Sequence, residues 1–217
     1  MRETRFNHFN GLKMNTKVLF PGLSQTLVNE ILEKSNIVDV PLNTEVMREG
    51  QYIKAVPIVT EGLVKVFTRN DDKELLLYYI QPGESCIMSF DACLKNIPSK
   101  VYASTEKKSS VLLMPVDFVF RWMKEYPEFN SLFFLQYNQR YNELLSMINQ
   151  LLFEKMDTRI LEYLKSKQKL TGTNPVKISH RQIANDLGTA REVVSRVMKK
   201  LEHEGKVKQL ATEIKLT

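Results

Sequence analysis

Ile178-Ser179-His180-Arg181-Gln182-Ile183-Ala184-Asn185-Asp186-Leu187-Gly188-Thr189-Ala190-Arg191-Glu192-Val193-Val194-Ser195-Arg196 is the stretch that decides the fold. Ser179 predicts the cap of a short helix, with Gln182 three residues on as its capping-box partner. Ile183, Ala184 and Leu187 give that helix an apolar side. Gly188 follows where a tight turn needs a residue free to take a positive φ. Thr189 predicts the cap of a second helix, with Glu192 as its box partner. Val193, Val194, Val197, Met198 and Leu201 are that helix's apolar positions. The small Ala184 sits four residues before Gly188, where two helices cross closely, and Val194 and Val197 sit six and nine after it, where the second packs back. That spacing reads as a helix-turn-helix with its second helix turned outward; two ordinary packed helices are the bland alternative.

Working outward, Gly205 ends the second helix, and Lys206–Leu210 and Glu213–Leu216 alternate as two short strands, a wing beside it. The polar side of the second helix carries Arg191, Glu192, Ser195 and Arg196. An Arg fork can bond guanine O6 and N7 together, and a Glu carboxylate can accept from cytosine N4. Glu192 therefore suits base reading, with helix capping as its competing role. Ser179, Arg181, Thr189 and Lys199 suit contacts to the phosphate backbone, which position without specifying. Charge agrees. The chain carries 31 Lys+Arg against 25 Asp+Glu, net +6, and residues 158–217 hold 13 basic and 6 acidic residues, leaving the remainder near neutral. A basic terminal domain is the footprint of a partner rich in phosphate.

Upstream, the polar Lys169–Pro175 predicts a loop, and Asp157-Thr158 a cap for a helix from Arg159 to about Gln168. Pro127 opens a long helix to about Met156. Along it Phe134, Tyr137, Tyr141, Leu144, Ile148 and Leu151 recur at spacings of 3 and 4, an a/d seam that pairs two helices. A second stripe, Phe133, Leu145 and Leu152, can pack on the barrel, and one buried helix in a single globule is the alternative. From Ile37 to Pro115 short β-branched and aromatic runs (Glu45–Met47, Ile58–Thr60, Val64–Phe67, Leu75–Ile80, Ser110–Met114) alternate with turns at Glu49-Gly50, Glu61-Gly62, Asn70-Asp71-Asp72 and Pro82-Gly83. That predicts an antiparallel barrel or jelly roll. Before it, Ser24 caps a helix through Leu27, Val28, Ile31 and Leu32. The fold class is thus α+β.

Hydrophobic residues at 43% and charged at 26% describe an ordinary globular chain. No apolar run approaches a bilayer's thickness and Met1–Leu19 lacks a signal-peptide core, so a cytoplasmic location with no membrane partner is expected. Cys86 and Cys93 make no disulfide framework; they are buried structural thiols or a thiol switch. No nucleophile–base motif, metal-ligand cluster or phosphate-cradling glycine loop stands out, so neither enzyme activity, metal nor cofactor is expected.

The run from Ile178 to Arg196 resembles the winged helix of the CRP/FNR regulators, and the resemblance extends from about Val40 to the end of the chain. Gly50, Gly62 and Gly83 match the turn glycines of that family's β-roll. The resemblance implies a cyclic-nucleotide-binding-like β-roll sensor with its N-terminal helix in residues 1–126, a dimerisation helix in 127–156 and a winged helix-turn-helix in 157–217. It implies a homodimer on near-palindromic double-stranded DNA, with RNA polymerase as a further partner. Arg191, Glu192 and Arg196 match the family's base-reading Arg-Glu-x-x-x-Arg, and Ser195 resembles the FNR branch, which implies TGA-type half-sites.

The sensor departs from the cyclic AMP pattern. Met88-Ser89 falls where the family's Gly-Glu holds the ribose, Ser99-Lys100 falls where Arg-Ser holds the phosphate, and Gly83-Glu84 comes too early. Lys100 offers one charge but no fork. These four residues are the candidate effector pocket, for an unidentified small molecule other than cyclic AMP, or for none. FNR-type oxygen sensing uses four cysteines, and this chain has two. Of His8, His180 and His203, only His8 lies on the sensor side as a haem ligand could. A competing function is a ligand-binding module that controls a partner protein through its C-terminal domain. Changing Arg191 or Arg196 to Ala separates the two, since only a DNA reader would lose specific DNA binding.

Overall fold

The computed structural model describes residues 16–70 and 73–217; the side chains of Lys73, Gln150 and Leu151 also lie outside the description. His8 and the Asp71-Asp72 part of one turn therefore fall outside the described residues. The chain forms two compact units, residues 1–66 with 79–139, and residues 67–78 with 140–217.

The first unit begins with α1 (Thr16–Leu19) and α2 (Gln25–Lys34), the latter capped by Ser24, whose hydroxyl accepts from the Leu27 amide. Strands β1 (Asn36–Val40), β3 (Ala55–Glu61) and β7 (Ser109–Pro115) make one sheet in the order β1-β7-β3. Strands β2 (Glu45–Met47), β4 (Val64–Asn70), β5 (Lys73–Ile80) and β6 (Tyr102–Thr105) make another, in the order β2-β6-β4-β5. The β-roll is thus confirmed.

Gly62 turns the chain between β3 and β4 with φ +95°. A Cβ there would overlap Ser109 Oγ and lie 2.5 Å from the Lys108 carbonyl oxygen. Only a residue without a side chain fits both demands.

Two helices follow that the turn-rich pattern does not announce. The helix α3 (Ile87–Lys95) starts at Cys86 and α4 (Val116–Glu125) at Pro115, both without a side-chain cap. In β7 alternate residues part company: Leu112 and Met114 turn into a core with Leu27, Ile31, Val119, Trp122, Phe129 and Phe133. The rings of Phe90 and Phe133 stack at 3.8 Å, and Phe129 meets Trp122 and Phe133 edge-on. Burying each such side chain contributes about 1.5–3 kcal/mol.

The long helix α5 runs Pro127–Phe153. Its second stripe does not behave as one. Phe133 is buried, but Leu145 and Leu152 are exposed.

In the second unit α6 runs Met156–Thr171 and is capped at Lys155 rather than at Asp157-Thr158. It also outlasts the predicted end, stopping where Gly172 takes φ +71°. Next come β8 (Val176–Lys177), α7 (His180–Asp186), α8 (Arg191–His203), β9 (Val207–Gln209) and β10 (Glu213–Leu216). The wing hairpin is present, and β8 extends it to three strands in the order β8-β10-β9. Ile160, Leu164, Ile183, Val194, Met198 and Leu201 are the centre of this unit's core. Residues 67–78 join it: Leu76 packs on that core, and Leu75 pairs with Leu187 in a single antiparallel bridge. Arg140, also buried, pairs with Glu143 at 2.6 Å and lies over the Tyr78 ring.

Candidate nucleic-acid interface and sensor cavity

The two helices of the motif are fixed mostly by backbone geometry. Ser179 Oγ accepts the Gln182 amide at 3.2 Å, the forward half of the predicted box. Gly188 takes φ +63°, and the Thr189 amide donates to the Ala184 carbonyl at 2.9 Å, so the turn closes over the small residue. The predicted cap at Thr189 is corrected: α8 is capped at Ala190 with no side-chain bond, and the turn is held by backbone bonds instead. At its far end the Lys206 amide reaches the Leu201 carbonyl and Gly205 the Glu202 carbonyl, a Schellman closure around Gly205.

Behind the turn, the Arg159 guanidinium donates to the Leu187 carbonyl at 3.1 Å, and Tyr163 donates its hydroxyl to the buried Asp186 carboxylate. Burial lowers the Arg159 pKa from its ordinary value, with Glu154 opposing. The Glu202 carboxylate accepts both the backbone and side-chain N–H of Gln209, each at 2.7 Å, and ties α8 to the wing. Those bonds, the backbone one first, lower its pKa.

One side of α8 is buried through Val194, Met198 and Leu201. The other presents Arg191, Glu192, Arg196 and Lys199 to solvent, with Ser195 half-buried between them. Arg181 is exposed on α7, Thr189 is half-buried, and Ser179 has its hydroxyl committed to the cap. Lys200 is turned away and paired with Asp157 at 2.6 Å. A residue outside the predicted set joins this side: His180 Nδ1 lies 3.0 Å from Ser195 Oγ. The sequence holds no signal for that pairing, because it links residues 15 apart across the turn.

Residues 157–217 match the model of the Crp-like helix-turn-helix domain. The match spans this segment alone. Solved structures share the fold of nearly the whole chain. A transcriptional regulator of the CRP/FNR family from Eubacterium rectale is 23% identical with a TM-score of 0.80, covering 91% of this chain and 94% of that one. The c-di-GMP responsive global regulator CLP of Xanthomonas campestris is 20% identical with a TM-score of 0.79, covering 89% and 99%. A CRP/FNR family regulator from Thermus thermophilus is 19% identical with a TM-score of 0.73, covering 84% and 93%. No curated protein matches the chain in sequence.

Upstream of the Crp-like segment, the β-roll encloses a cavity of about 430 Å³. In β3 and β7 its wall follows the period of two, whereas Val38, Asp39 and Val40 of β1 all line it. Val38 and Val40 of β1, Ala55, Pro57 and Val59 of β3, and Val111 and Leu113 of β7 face it, while the intervening residues of β3 and β7 face the helical core. Of the candidate pocket residues only Ser89 lines it, with its hydroxyl on Met47 Sδ at 3.0 Å. Met88 is half-buried on α3 away from the lining, Ser99 is buried with its hydroxyl on the Val101 carbonyl, and Lys100 is exposed. The four residues are therefore not gathered around this cavity. The period-two pattern was the signal that could have found its true wall.

Among the described residues no lysine or arginine lines it, and the ionisable groups in its wall are Asp39, which accepts from Ser110 Oγ, and Cys86. Cys93, on the same helix, donates to the Ile53 carbonyl at 3.2 Å. Burial first, and Cys86 second, push its pKa up to about 11. Cys86 and Cys93 stand seven residues apart along α3, about 10 Å on a helix and beyond disulfide reach. Among the described residues no group of His, Cys, Asp or Glu side chains gathers as a metal site, and no helix is long and apolar enough to cross a membrane.

Proposed function

We propose that the chain is a transcription regulator that reads near-palindromic TGA-type DNA sites as a homodimer. The observation that carries this is α8: a well-packed helix whose outward side holds Arg191, Glu192, Ser195 and Arg196, in a segment that matches the Crp-like helix-turn-helix model. The two Arg forks suit guanine, and Glu192 suits cytosine N4. Arg181, Thr189 and Lys199 suit the flanking phosphates.

Dimerisation runs along α5. Phe134, Tyr137, Tyr141, Leu144 and Ile148 are exposed in the single chain, an apolar seam in want of a partner; Leu151 continues it by sequence. Residues 127–156 serve as the dimerisation segment, and RNA polymerase is the partner that the family type suggests. Ile148→Lys is expected to sediment as a monomer, and a stable dimer in that variant would refute the seam. Cyclic AMP is not the effector, because its phosphate would meet Asp39 and no cation in the cavity. The space suits an uncharged, largely apolar small molecule instead.

The test is selection from random duplex DNA with purified protein and no added ligand, at stated salt. Enrichment of a two-fold site with TGA-like half-sites supports the reading and shows that no effector is needed. Enrichment of nothing in that condition and with cell extract added would sink it, leaving a module that acts on a partner protein.

A further inference from the structure

The first helix of the motif sends an imidazole to the second. His180 opens α7 directly after the Ser179 cap, and its Nδ1 stands 3.0 Å from Ser195 Oγ in a partly buried contact. Ser195 is one helical turn from Arg191 and next to Arg196, so it shares the outward side of α8. A free serine hydroxyl rotates, and can donate to or accept from any base edge that comes within reach. Held by an imidazole, its choice narrows. If Nδ1 is bare it takes the serine proton, and Oγ meets the groove with lone pairs only. That suits the amino groups of cytosine N4 or adenine N6. If Nδ1 carries a proton it donates to Oγ, and the serine proton turns outward. That suits thymine O4 or the guanine acceptors. With Nδ1 bare, an acceptor edge would meet only lone pairs and is disfavoured; with Nδ1 protonated, Oγ turns its proton outward and keeps one lone pair, so discrimination is sharpest in the first state.

We propose that His180 is a specificity-determining residue: it sets the direction of Ser195's hydrogen bond and so the base preferred at one position of each half-site. It acts through Ser195, as a positioning residue, and does not need to touch DNA itself. The inference rests on the DNA-reading function proposed above. A histidine that merely contacted a phosphate would strengthen binding to all sequences alike, whereas a hydroxyl of fixed direction discriminates among them.

The experiment measures dissociation constants for the selected duplex and for its single-base variants across the half-site. Wild type, Ser195→Ala, His180→Ala, His180→Asn and the Ser195→Ala/His180→Ala double variant are compared, each with its thermal midpoint. We expect wild type to prefer one base at the Ser195 position by about three- to tenfold, the ratio for one hydrogen bond. Both Ala variants should flatten that preference, and the double variant should be no flatter than either. His180→Asn keeps a donor and an acceptor near the Nδ1 position and should restore part of it. If His180→Ala weakens all duplexes equally, or leaves the preference intact in a protein of normal thermal midpoint, the inference is overturned while the DNA reading stands. If wild type selects no duplex at all, the DNA reading falls and takes the inference with it.

Discussion

The reading helix and the β-roll cavity are built by opposite means. The first is 13 consecutive residues, α8, with one side buried and the other left to solvent. The second is assembled from residues between 38 and 113, on strands that neighbour one another in space but not in sequence. Arg191 and Arg196 are exposed and make no packing contribution to the core, so their chemistry can change without touching the fold. Val59, Val64, Ile80 and Val111 line the cavity and are themselves buried, so a change of ligand chemistry there is also a change of core. Under the proposed function, DNA preference is thus the easier of the two properties to alter one residue at a time.

The largest effect that sharpens this contrast should come from Gly62→Ala. Its Cβ would overlap the β7 side of the roll, and the expected loss is about 3 kcal/mol or more in urea denaturation. A wild-type midpoint would mean that the roll yields more readily than its packing implies.

Next is Cys93. With its pKa raised from 9.0 to about 11, it holds about a hundredfold less thiolate than a free thiol at pH 8. Alkylation of the folded protein should slow accordingly and become fast in denaturant; fast native alkylation would show that the roll opens.

Arg196→Ala should weaken specific duplex binding by about tenfold per half-site, with stability changed by no more than about 0.5 kcal/mol. Loss of stability of the same size as the loss of binding would break the contrast.

The smallest effect should come from Asp157→Asn. The Lys200 bond, first among its causes, lowers the Asp157 pKa. Its contribution is present above the ordinary Asp value and is lost as pH falls through the lowered one. The same pairing raises the Lys200 pKa, whose contribution is present below the ordinary Lys value and fades as pH rises through the raised one. The variant's denaturation midpoint should therefore follow wild type most closely in acid and diverge slightly at neutral pH. An unchanged pH profile would remove any role for the pair.

The same contrast governs what could be read from the sequence. The motif was legible because its signals are local: Ser179 is within three residues of the amide it caps, and Gly188 sits in the turn that it permits. Five strands of the roll were legible too, from β-branched and aromatic runs ended by turn residues, but β1 and β6 were not singled out. Helices α3 and α4 were not, because Cys86 and Pro115 supply no capping side chain to mark their starts. The four candidate pocket residues follow from two short motifs of the resemblance, and of them only Ser89 lines the cavity. Its wall depends on which strands pair, and register between Val59 and Val111 is not written in either strand alone. The link from His180 to Ser195 was invisible for a related reason, since it requires knowing how two helices cross.

Much of β5 belongs to the same compact unit as residues 140–217. Leu75 bridges Leu187 at the end of α7, and its side chain would be the first atom met by a Cβ on Gly188, at 3.3 Å. A chimera cut once, at the start of α6, would carry the reading helix into a foreign sensor without the segment that backs its turn. Transplanting this reader intact needs a graft in two pieces, residues 67–78 along with residues 140–217.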